Sequence, residues 1–193
     1  MTTTPLRKDA ARNWDRIVAV ARTLVDEGTP LQLNDVARRA GLGVGTVYRH
    51  FATPEALLEA VATPCLEALA AHGARALADA DPWRALETFL TRTVEAQVTD
   101  ASLAPVTAAA TDTVPRTTEL KNAVWEAGAA LLDRARRSGA VRPVLASADL
   151  VPLMCGIAYA VQVRGGAPAD RIETAHRYLA TLLEGLRAAP PAR

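Results

Sequence analysis

The chain has 193 residues, half of them hydrophobic, with 22 basic and 21 acidic side chains. This length suits one compact unit or two small, closely packed ones, and the low net charge with an ordinary apolar fraction excludes wholesale disorder. Alanine makes up roughly a fifth of the residues and aromatic residues only 4%, a balance that favours helix over sheet. The composition therefore predicts an all-α fold.

The sequence shows no secretory signal, no membrane span and no disulfide motif, and these features together indicate a protein of the cytoplasm. The first residues contain no apolar segment of the kind that a secretory signal needs. The most hydrophobic stretch, residues 151–163, is interrupted by Pro152 and Gln162 and is shorter than the ~20 residues of a membrane span. Cys65 and Cys155 form no CxxC motif, and we interpret them as buried apolar thiols. We expect no contact with a membrane.

The small net charge hides an asymmetry along the chain. Residues 1–53 hold eight basic against five acidic side chains, a net charge of +3, while the remaining residues are mildly acidic. A basic segment on an acidic body indicates that only this segment meets a polyanion. Arg7, Lys8 and Arg12 at its start are either an arm that touches the polyanion or a solvated chain end.

The first three predicted helices have the layout of a helix-turn-helix. Apolar residues over 10–25 recur at helical spacing, and Gly28 ends this long helix. Short helices are predicted over Leu33–Ala40 and over 44–51, separated by a left-handed turn at Gly41. Two short helices joined by a tight glycine turn, after a long supporting helix, are typical of this motif.

Four further helices follow in the predicted order. Thr53 begins the fourth as its N-terminal cap, and Pro64 is expected to kink or break that helix. Asp81-Pro82 begins the fifth helix. A short helix around 102–110 and a longer one over 115–137 complete this part of the chain.

The last two predicted helices, 149–163 and 170–186, are separated by a glycine-rich loop and bring the total to about nine. Leucines of the final helix repeat at three-and-four spacing, close to a coiled-coil seam. Such a hairpin either closes the core of one chain or pairs with a second copy, and we expect pairing. The predicted dimerisation residues are Ile157, Val161, Leu179, Leu183 and Leu186.

The segments around the predicted helix-turn-helix carry a family resemblance. Arg12–Ala21 reads RNWDRIVAVA, Asp35–Phe51 reads DVARRAGLGVGTVYRHF, and Glu55–Val61 reads EALLEAV. Together they resemble the TetR family of regulators over residues 9–69. The segments from Asp81 onward are similar to that family's regulatory domain in layout alone.

The resemblance implies a dimeric, ligand-controlled transcription factor, usually a repressor. In each chain the DNA-binding domain, which we call the head, places its third helix in a major groove of a palindromic operator. A small-molecule effector in the rest of the chain, which we call the body, moves the fourth helix and releases the DNA. The implied division is a helix-turn-helix DNA-binding domain over 9–53, a helical regulatory and dimerisation domain over 54–188, and a tail over 189–193.

DNA contacts are expected on the motif Gln32–Phe51. Thr46, Tyr48 and His50 match the family's backbone and groove contacts, and their hydroxyl, phenol and imidazole groups can donate to phosphate oxygens. The candidates for reading bases are Asn34, Val44, Tyr48 and Arg49, and Gly45 permits close approach. The predicted DNA-binding residues are Asn34, Val44, Gly45, Thr46, Tyr48, Arg49 and His50.

Two positions depart from the family pattern. Pro54 stands where the family usually has a lysine that binds phosphate, so one phosphate contact is expected to be missing. Gln32-Leu33 stand where the family favours serine or threonine, which puts a second backbone contact in doubt.

The effector site is predicted less specifically. Phe89, Trp125, Met154 and Tyr159 are candidates to line a pocket, and ordinary core packing explains each of them equally well. The effector itself is not indicated by the sequence.

Other function classes find little support. The chain has no GxSxG, HExxH or phosphate-binding glycine loop, so we do not expect an enzyme. His72 and His176 lack partners at ligand spacing, and neither a metal nor a cofactor is expected. The alternative that stays open is a helical ligand-binding or interaction protein that has lost DNA binding, with Pro54 as its main argument.

Overall fold

The computed structural model describes residues 5–188, and over this range α-helices are joined by short loops. The predicted tail, 189–193, and the side chain of Arg7 lie outside the described residues. The elements are α1 (Pro5–Asp26), α2 (Leu33–Ala40), α3 (Val44–His50), α4 (Pro54–Leu77), α5 (Pro82–Thr99), α6 (Leu103–Ala108), α7 (Pro115–Arg137), a 3-10 turn (Ser147–Asp149), α8 (Leu150–Arg164) and α9 (Pro168–Leu186). The all-α prediction is confirmed. No helix within this range is long and apolar enough to cross a membrane.

Local capping chemistry sets the helix ends that the sequence predicted. Gly41 adopts a left-handed conformation with φ of 60°, and it lets the N–H of Leu42 donate to the carbonyl oxygen of Ala37 at 2.9 Å. The Thr53 hydroxyl accepts from the backbone N–H of Ala56 at 3.2 Å. Asp81 accepts from the first two N–H groups of α5 that follow Pro82. Each cap satisfies backbone groups that a helix end would otherwise leave without a partner.

Pro64 does not break α4, which runs through it without interruption. The proline lacks an N–H and therefore removes one hydrogen bond from the helix. The carbonyl that loses its donor is that of Ala60. The carbonyls on either side of it receive side-chain donors: the Thr63 hydroxyl donates to the Glu59 oxygen at 2.9 Å, and the Arg22 guanidinium donates to the Val61 oxygen. Of the two predicted outcomes, a kink or a break, the break does not occur.

Two hydrophobic cores meet inside α4. The smaller core, which we call the head core, joins α1, α2 and α3 to the first turns of α4. Its buried members are Ile17, Ala21, Leu24, Leu33, Val36, Ala37, Val47, Phe51, Ala56, Leu57 and Val61. The larger body core begins at Ala62 and includes residues from α4 to α9. The predicted domain boundary at residue 53 thus falls at the start of the helix that both cores share.

Within the body, α4 and α7 form the most extensive helix–helix contact. Glycines allow this approach around the ring of Phe89. A Cβ atom at Gly73 would lie 2.7 Å from the Cβ of Ala127 and 3.2 Å from the Phe89 ring, and one at Gly128 would lie 3.1 Å from the same ring. The absence of two side chains therefore positions Phe89 between α4 and α7.

We expect Gly73→Ala to lower the free energy of unfolding by about 1–3 kcal/mol, because the added methyl group forces α4 and α7 apart. Gly45→Ala is the matched control, since a Cβ atom at Gly45 meets no atom within 4 Å and alanine is the better helix former. Urea denaturation of both variants without DNA measures the difference. Equal stability of the two would contradict the packing described here.

Candidate nucleic-acid interface and internal cavity

The candidate DNA-binding surface is the outward face of α3. Val47 and Phe51 point into the head core, and the Phe51 ring lies 6.1 Å from that of Trp14, centroid to centroid. Positions offset from Val47 point away from the core, so Val44 and Tyr48 are 46% and 49% exposed. The helix is held by its apolar side while its other side stays free for a partner.

The structure brings six of the seven predicted DNA-binding residues onto this short helix. Gly45 and Arg49 are exposed, and Thr46 and His50 are half-buried. The Arg49 guanidinium donates to the Gly45 carbonyl oxygen at 3.1 Å and to the Thr46 hydroxyl at 3.2 Å. Asn34, the seventh, is exposed on α2.

The basic residues of the head differ in whether they are paired. Arg38 forms an ion pair with Asp35 at 2.7 Å, and Arg39 forms one with Glu27 at 2.8 Å. Arg49 forms no ion pair with any residue between 5 and 188. A positive charge therefore stands uncompensated on the outward face of α3.

Both departures from the family pattern have a visible local consequence. Gln32 precedes α2 in an extended conformation, and its side chain makes no capping hydrogen bond. Pro54 occupies the first turn of α4 directly after the Thr53 cap. A pyrrolidine ring has no donor, so position 54 offers no group that could bind a phosphate oxygen.

A cavity of about 490 Å³ lies in the body between α4, α5, α6, α7 and α8. Phe89, Trp125 and Met154, three of the four predicted pocket residues, line it. The fourth, Tyr159, does not: it is 68% exposed and borders a separate outer groove. Five residues along a helix turn a side chain by about 140°, so Tyr159 points away from the side of α8 on which Met154 lies.

The only charged side chains among the described residues that line this cavity are Lys121 and Glu126. The Lys121 ammonium is buried and donates to the carbonyl oxygens of Val106 and Ala109, both at 3.1 Å, and to Asp112 at 2.8 Å. No sequence pattern indicates this arrangement, because the partners lie 9 to 15 positions before Lys121, in α6 and in the loop that follows it. Lys121 thus joins α6 and that loop to α7.

The helix α6 forms part of the cavity wall, and the N-terminal end of this helix is connected to the head. Its residues Leu103 and Thr107 line the cavity. Just before it, the Asp100 carboxylate accepts from the Arg22 guanidinium of α1 at 2.6 Å and from the Ser102 backbone N–H at 2.9 Å. Arg22 in turn donates to the Val61 carbonyl of α4. One guanidinium therefore joins α1, α4 and the beginning of α6.

Burial and hydrogen bonding shift the pKa of Asp100 in opposite directions. Partial burial raises the pKa of its carboxyl group, but the hydrogen bonds from Arg22 and Ser102 outweigh that effect, so the pKa lies below its ordinary value. Burial, together with the nearby Asp100 carboxylate, raises the pKa of the Cys65 thiol to about 11. Cys65 is therefore a neutral thiol at physiological pH.

The segment after α6 is connected to the head at a second place. Glu59 of α4 is buried, and its two carboxylate oxygens accept from the backbone N–H groups of Thr113 at 2.7 Å and Val114 at 2.8 Å. Val114 is the residue that precedes α7. Thus α6, whose middle lines the cavity, lies between two polar connections to the head.

The prediction for the dimerisation surface needs correction. Four of the five predicted residues are buried in the body core of their own chain, and Ile157 is partly buried against it. The four are Val161, Leu179, Leu183 and Leu186. Their three-and-four spacing reflects the packing of α8 and α9 on the rest of the same chain, so they cannot provide an outer seam.

The exposed side of α8 carries a different set of apolar residues. Pro152, Gly156, Tyr159 and Val163 recur at helical spacing and are all exposed. Tyr159 and Val163 are each 68% exposed, among the most exposed large apolar side chains between residues 5 and 188. We call these four residues the α8 stripe.

No three His, Cys, Asp or Glu side chains between residues 5 and 188 lie close enough together to hold a metal ion. The features that the described chain does offer are therefore the face of α3, the cavity with its two connections to the head, and the α8 stripe.

Comparisons with known proteins agree with this arrangement. Residues 17–61 match the family model of bacterial regulatory proteins of the TetR family, and residues 81–188 match that of the C-terminal domain of SbtR-like transcriptional regulators. An HTH-type transcriptional regulator of Staphylococcus aureus (strain USA300) is 44% identical over 48 residues, 24% of this chain. That alignment spans only 26% of the length of the curated relative.

Two solved structures are similar over nearly the whole chain. The TetR transcriptional regulator SCO0520 of Streptomyces coelicolor is 31% identical, with 92% of this chain and 99% of that chain covered and a TM-score of 0.57. A TetR transcription regulatory protein of Mycobacterium vanbaalenii is 30% identical, with 95% and 100% covered and a TM-score of 0.52. The chain belongs to the TetR family, whose members are ligand-responsive DNA-binding transcriptional regulators and not enzymes.

Proposed function

We propose that this chain is a homodimeric repressor of the cytoplasm that binds a palindromic operator and is released from it by a small-molecule effector. Residues 9–53 form its DNA-binding domain and 54–188 its regulatory and dimerisation domain. The observation that carries the proposal is the position of α6, which lines the cavity while both of its flanks are connected to the head.

The exposed side chains of α3 support the role in DNA binding. Tyr48 and Arg49 present a phenol and a guanidinium on the free side of the helix, and Val44 adds an apolar group that suits a thymine methyl. His50 adds an imidazole at the edge of the same face. These groups divide between phosphate contacts, which position the protein, and base contacts, which specify the sequence.

The short recognition helix also supports a dimer. A seven-residue helix offers few side chains to a groove, and helix-turn-helix proteins usually combine two such helices on two half-sites. The α8 stripe supplies an exposed apolar surface for a second copy. An isologous interface across α8 would cover Tyr159 and Val163 of both copies at once.

The two connections of α6 support a route from effector to operator. A ligand that fills the cavity presses on Leu103 and Thr107 and displaces α6. Asp100 on one flank then pulls on Arg22 of α1, and Thr113 and Val114 on the other flank pull on Glu59 of α4. Both pulls reorient the head relative to the body, which changes the spacing of the two recognition helices in a dimer.

The DNA contacts are tested with Tyr48→Phe and His50→Ala. We expect each to weaken binding to a duplex from upstream of the protein's own gene by about 1–3 kcal/mol, because a hydrogen bond to phosphate is lost. Tyr178→Phe is the matched control, since it removes the same hydroxyl from a half-buried tyrosine of α9 that belongs neither to the face of α3 nor to the α8 stripe. Mobility shifts measure the affinities, and unchanged binding by both folded head variants would remove these residues from the interface.

The dimer surface is tested with Val163→Asp. The change places two carboxylates on the α8 stripe of the dimer, where desolvation of a charge is costly, so the dissociation constant of the dimer should rise at least about tenfold. Val144→Asp is the matched control, because Val144 is 66% exposed but lies in the loop before α8. Light scattering decides: a wild type that is monomeric at micromolar concentration, or a dimeric Val163→Asp variant, contradicts the proposal.

The Arg22–Asp100 connection is tested with Asp100→Asn. We expect the free energy of unfolding at pH 7 to fall by about 1–2 kcal/mol, since a partly buried charged hydrogen bond is weakened. The pKa of Asp100 is lowered in the folded state, so its stabilising effect is complete above the unfolded value of 3.8 and is lost as the pH falls through the folded value. The difference between wild type and variant should therefore disappear in strong acid.

Glu119→Gln is the control for this measurement, because the Arg116–Glu119 pair is exposed and contributes little. Denaturation curves at pH 7, 5 and 3 give the comparison. A difference between wild type and Asp100→Asn that persists unchanged at low pH would show that the ion pair is not its source.

A further inference from the structure

We propose that the cavity is selective for a largely apolar molecule that has no anionic group and carries a hydroxyl or amino hydrogen-bond donor, and that Gln97 accepts this bond. The inference rests on the proposed function in one respect, since it takes the cavity to be the effector site. It adds the chemical class of the effector and the residue that recognises it.

Anionic ligands are disfavoured by the way Lys121 is satisfied. An ammonium has three N–H donors, and those of Lys121 have three acceptors, two carbonyl oxygens and the Asp112 carboxylate. No donor is left for a carboxylate or a phosphate. The other charged lining residue, Glu126, is exposed and negative, and it repels an anion at the cavity edge. An acidic ligand would therefore lose its hydration without gaining a cationic partner.

The hydroxyl groups of Thr93, which is buried, and Thr107, which is half-buried, have already used their protons. The Thr93 hydroxyl donates to the Phe89 carbonyl oxygen at 2.8 Å, and the Thr107 hydroxyl donates to that of Leu103 at 3.0 Å. What these groups still offer is oxygen lone pairs. Ser147, the remaining hydroxyl of the lining, is exposed on the 3-10 turn before α8. The interior hydroxyls thus favour a ligand that donates.

Gln97 adds an acceptor that has no partner. The residue lines the cavity and is more than nine-tenths buried, and its Oε1 atom makes no hydrogen bond with the described residues. Its Nε2 atom lies 3.9 Å from the Cys155 sulfur, a weak contact. A buried amide oxygen without a donor is costly, so a ligand hydroxyl or amine that donates to Oε1 removes this cost.

The rest of the wall fits an apolar body of moderate size. Phe89 and Trp125 present aromatic surface, and Leu66, Leu103 and Met154 supply aliphatic surface around the cavity of about 490 Å³. Such a volume accommodates a hydroxylated ring with an alkyl chain or a small fused ring system. One donor at Gln97 then sets the orientation of an otherwise apolar ligand.

The test compares three probes that share a heptylphenyl body: 4-heptylphenol, its methyl ether and 4-heptylbenzoate. Their binding to the dimeric full chain is measured by titration calorimetry at neutral pH and without DNA. The phenol should bind at least about fivefold more tightly than the ether, which cannot donate, and the benzoate should bind more weakly still. Binding of the ether or the benzoate as tight as that of the phenol overturns the proposal, and so does a phenol that fails to bind up to its solubility limit.

Gln97→Leu assigns the effect to the residue. The change replaces an amide without a partner by an apolar side chain of similar volume, so the fold should be retained, which thermal unfolding checks. The preference for phenol over ether should vanish in this variant. Gln162→Leu, the same change at an exposed position of the outer groove, should keep it. A preference that survives Gln97→Leu, or that is lost in Gln162→Leu, overturns the assignment.

Release of DNA is measured separately, by mobility shift with and without the phenol. A phenol that binds through Gln97 but leaves the DNA complex intact supports the chemistry of the cavity and contradicts the proposed release. Release by the benzoate instead of the phenol supports the proposed function and overturns the ligand class.

Discussion

The Arg22 guanidinium joins helices that otherwise belong to two separate hydrophobic cores. It binds the Val61 carbonyl at the last residue of the head core and the Asp100 carboxylate at the entrance to α6. Hydrophobic burial by itself has no preferred direction. A guanidinium with two fixed acceptors is directional, so the Arg22 bonds help to set how the head is oriented on the body.

The same bond lies beside the proline of α4. Pro64 removes the donor of the carbonyl four residues earlier, that of Ala60, and so weakens this turn of the helix. The next carbonyl, that of Val61, receives a donor from another helix, so α1 is attached to α4 directly beside the weakened turn. The weakness lies where the head core ends and the body core begins.

The sequence predicted the features that depend on neighbouring residues, and it did not predict those that depend on residues far apart in the chain. The caps at Gly41, Thr53 and Asp81 and the amphipathic patterns gave the helices nearly to their ends, because these effects act within a few residues. The pairing of Arg22 with Asp100 spans 78 positions and leaves no local pattern. Periodicity likewise predicted that Leu183 is buried but not against which surface, which is why its own core and a partner chain were confused.

The hydrogen bonds of the two connections are strong enough to carry the coupling free energy that an allosteric regulator needs. Hydrogen bonds to charged groups contribute about 1.5–3 kcal/mol each, and the coupling free energy between two sites in allosteric proteins is typically about 1–3 kcal/mol. A ligand shifts the head only by as much as it favours the arrangement of α6 that strains these bonds. If α6 slipped without Asp100 and Glu59 resisting, cavity binding would be silent at the operator. In the proposed mechanism, the two connections, one on each flank of the six-residue α6, would convert the volume of a ligand into a displacement of the head.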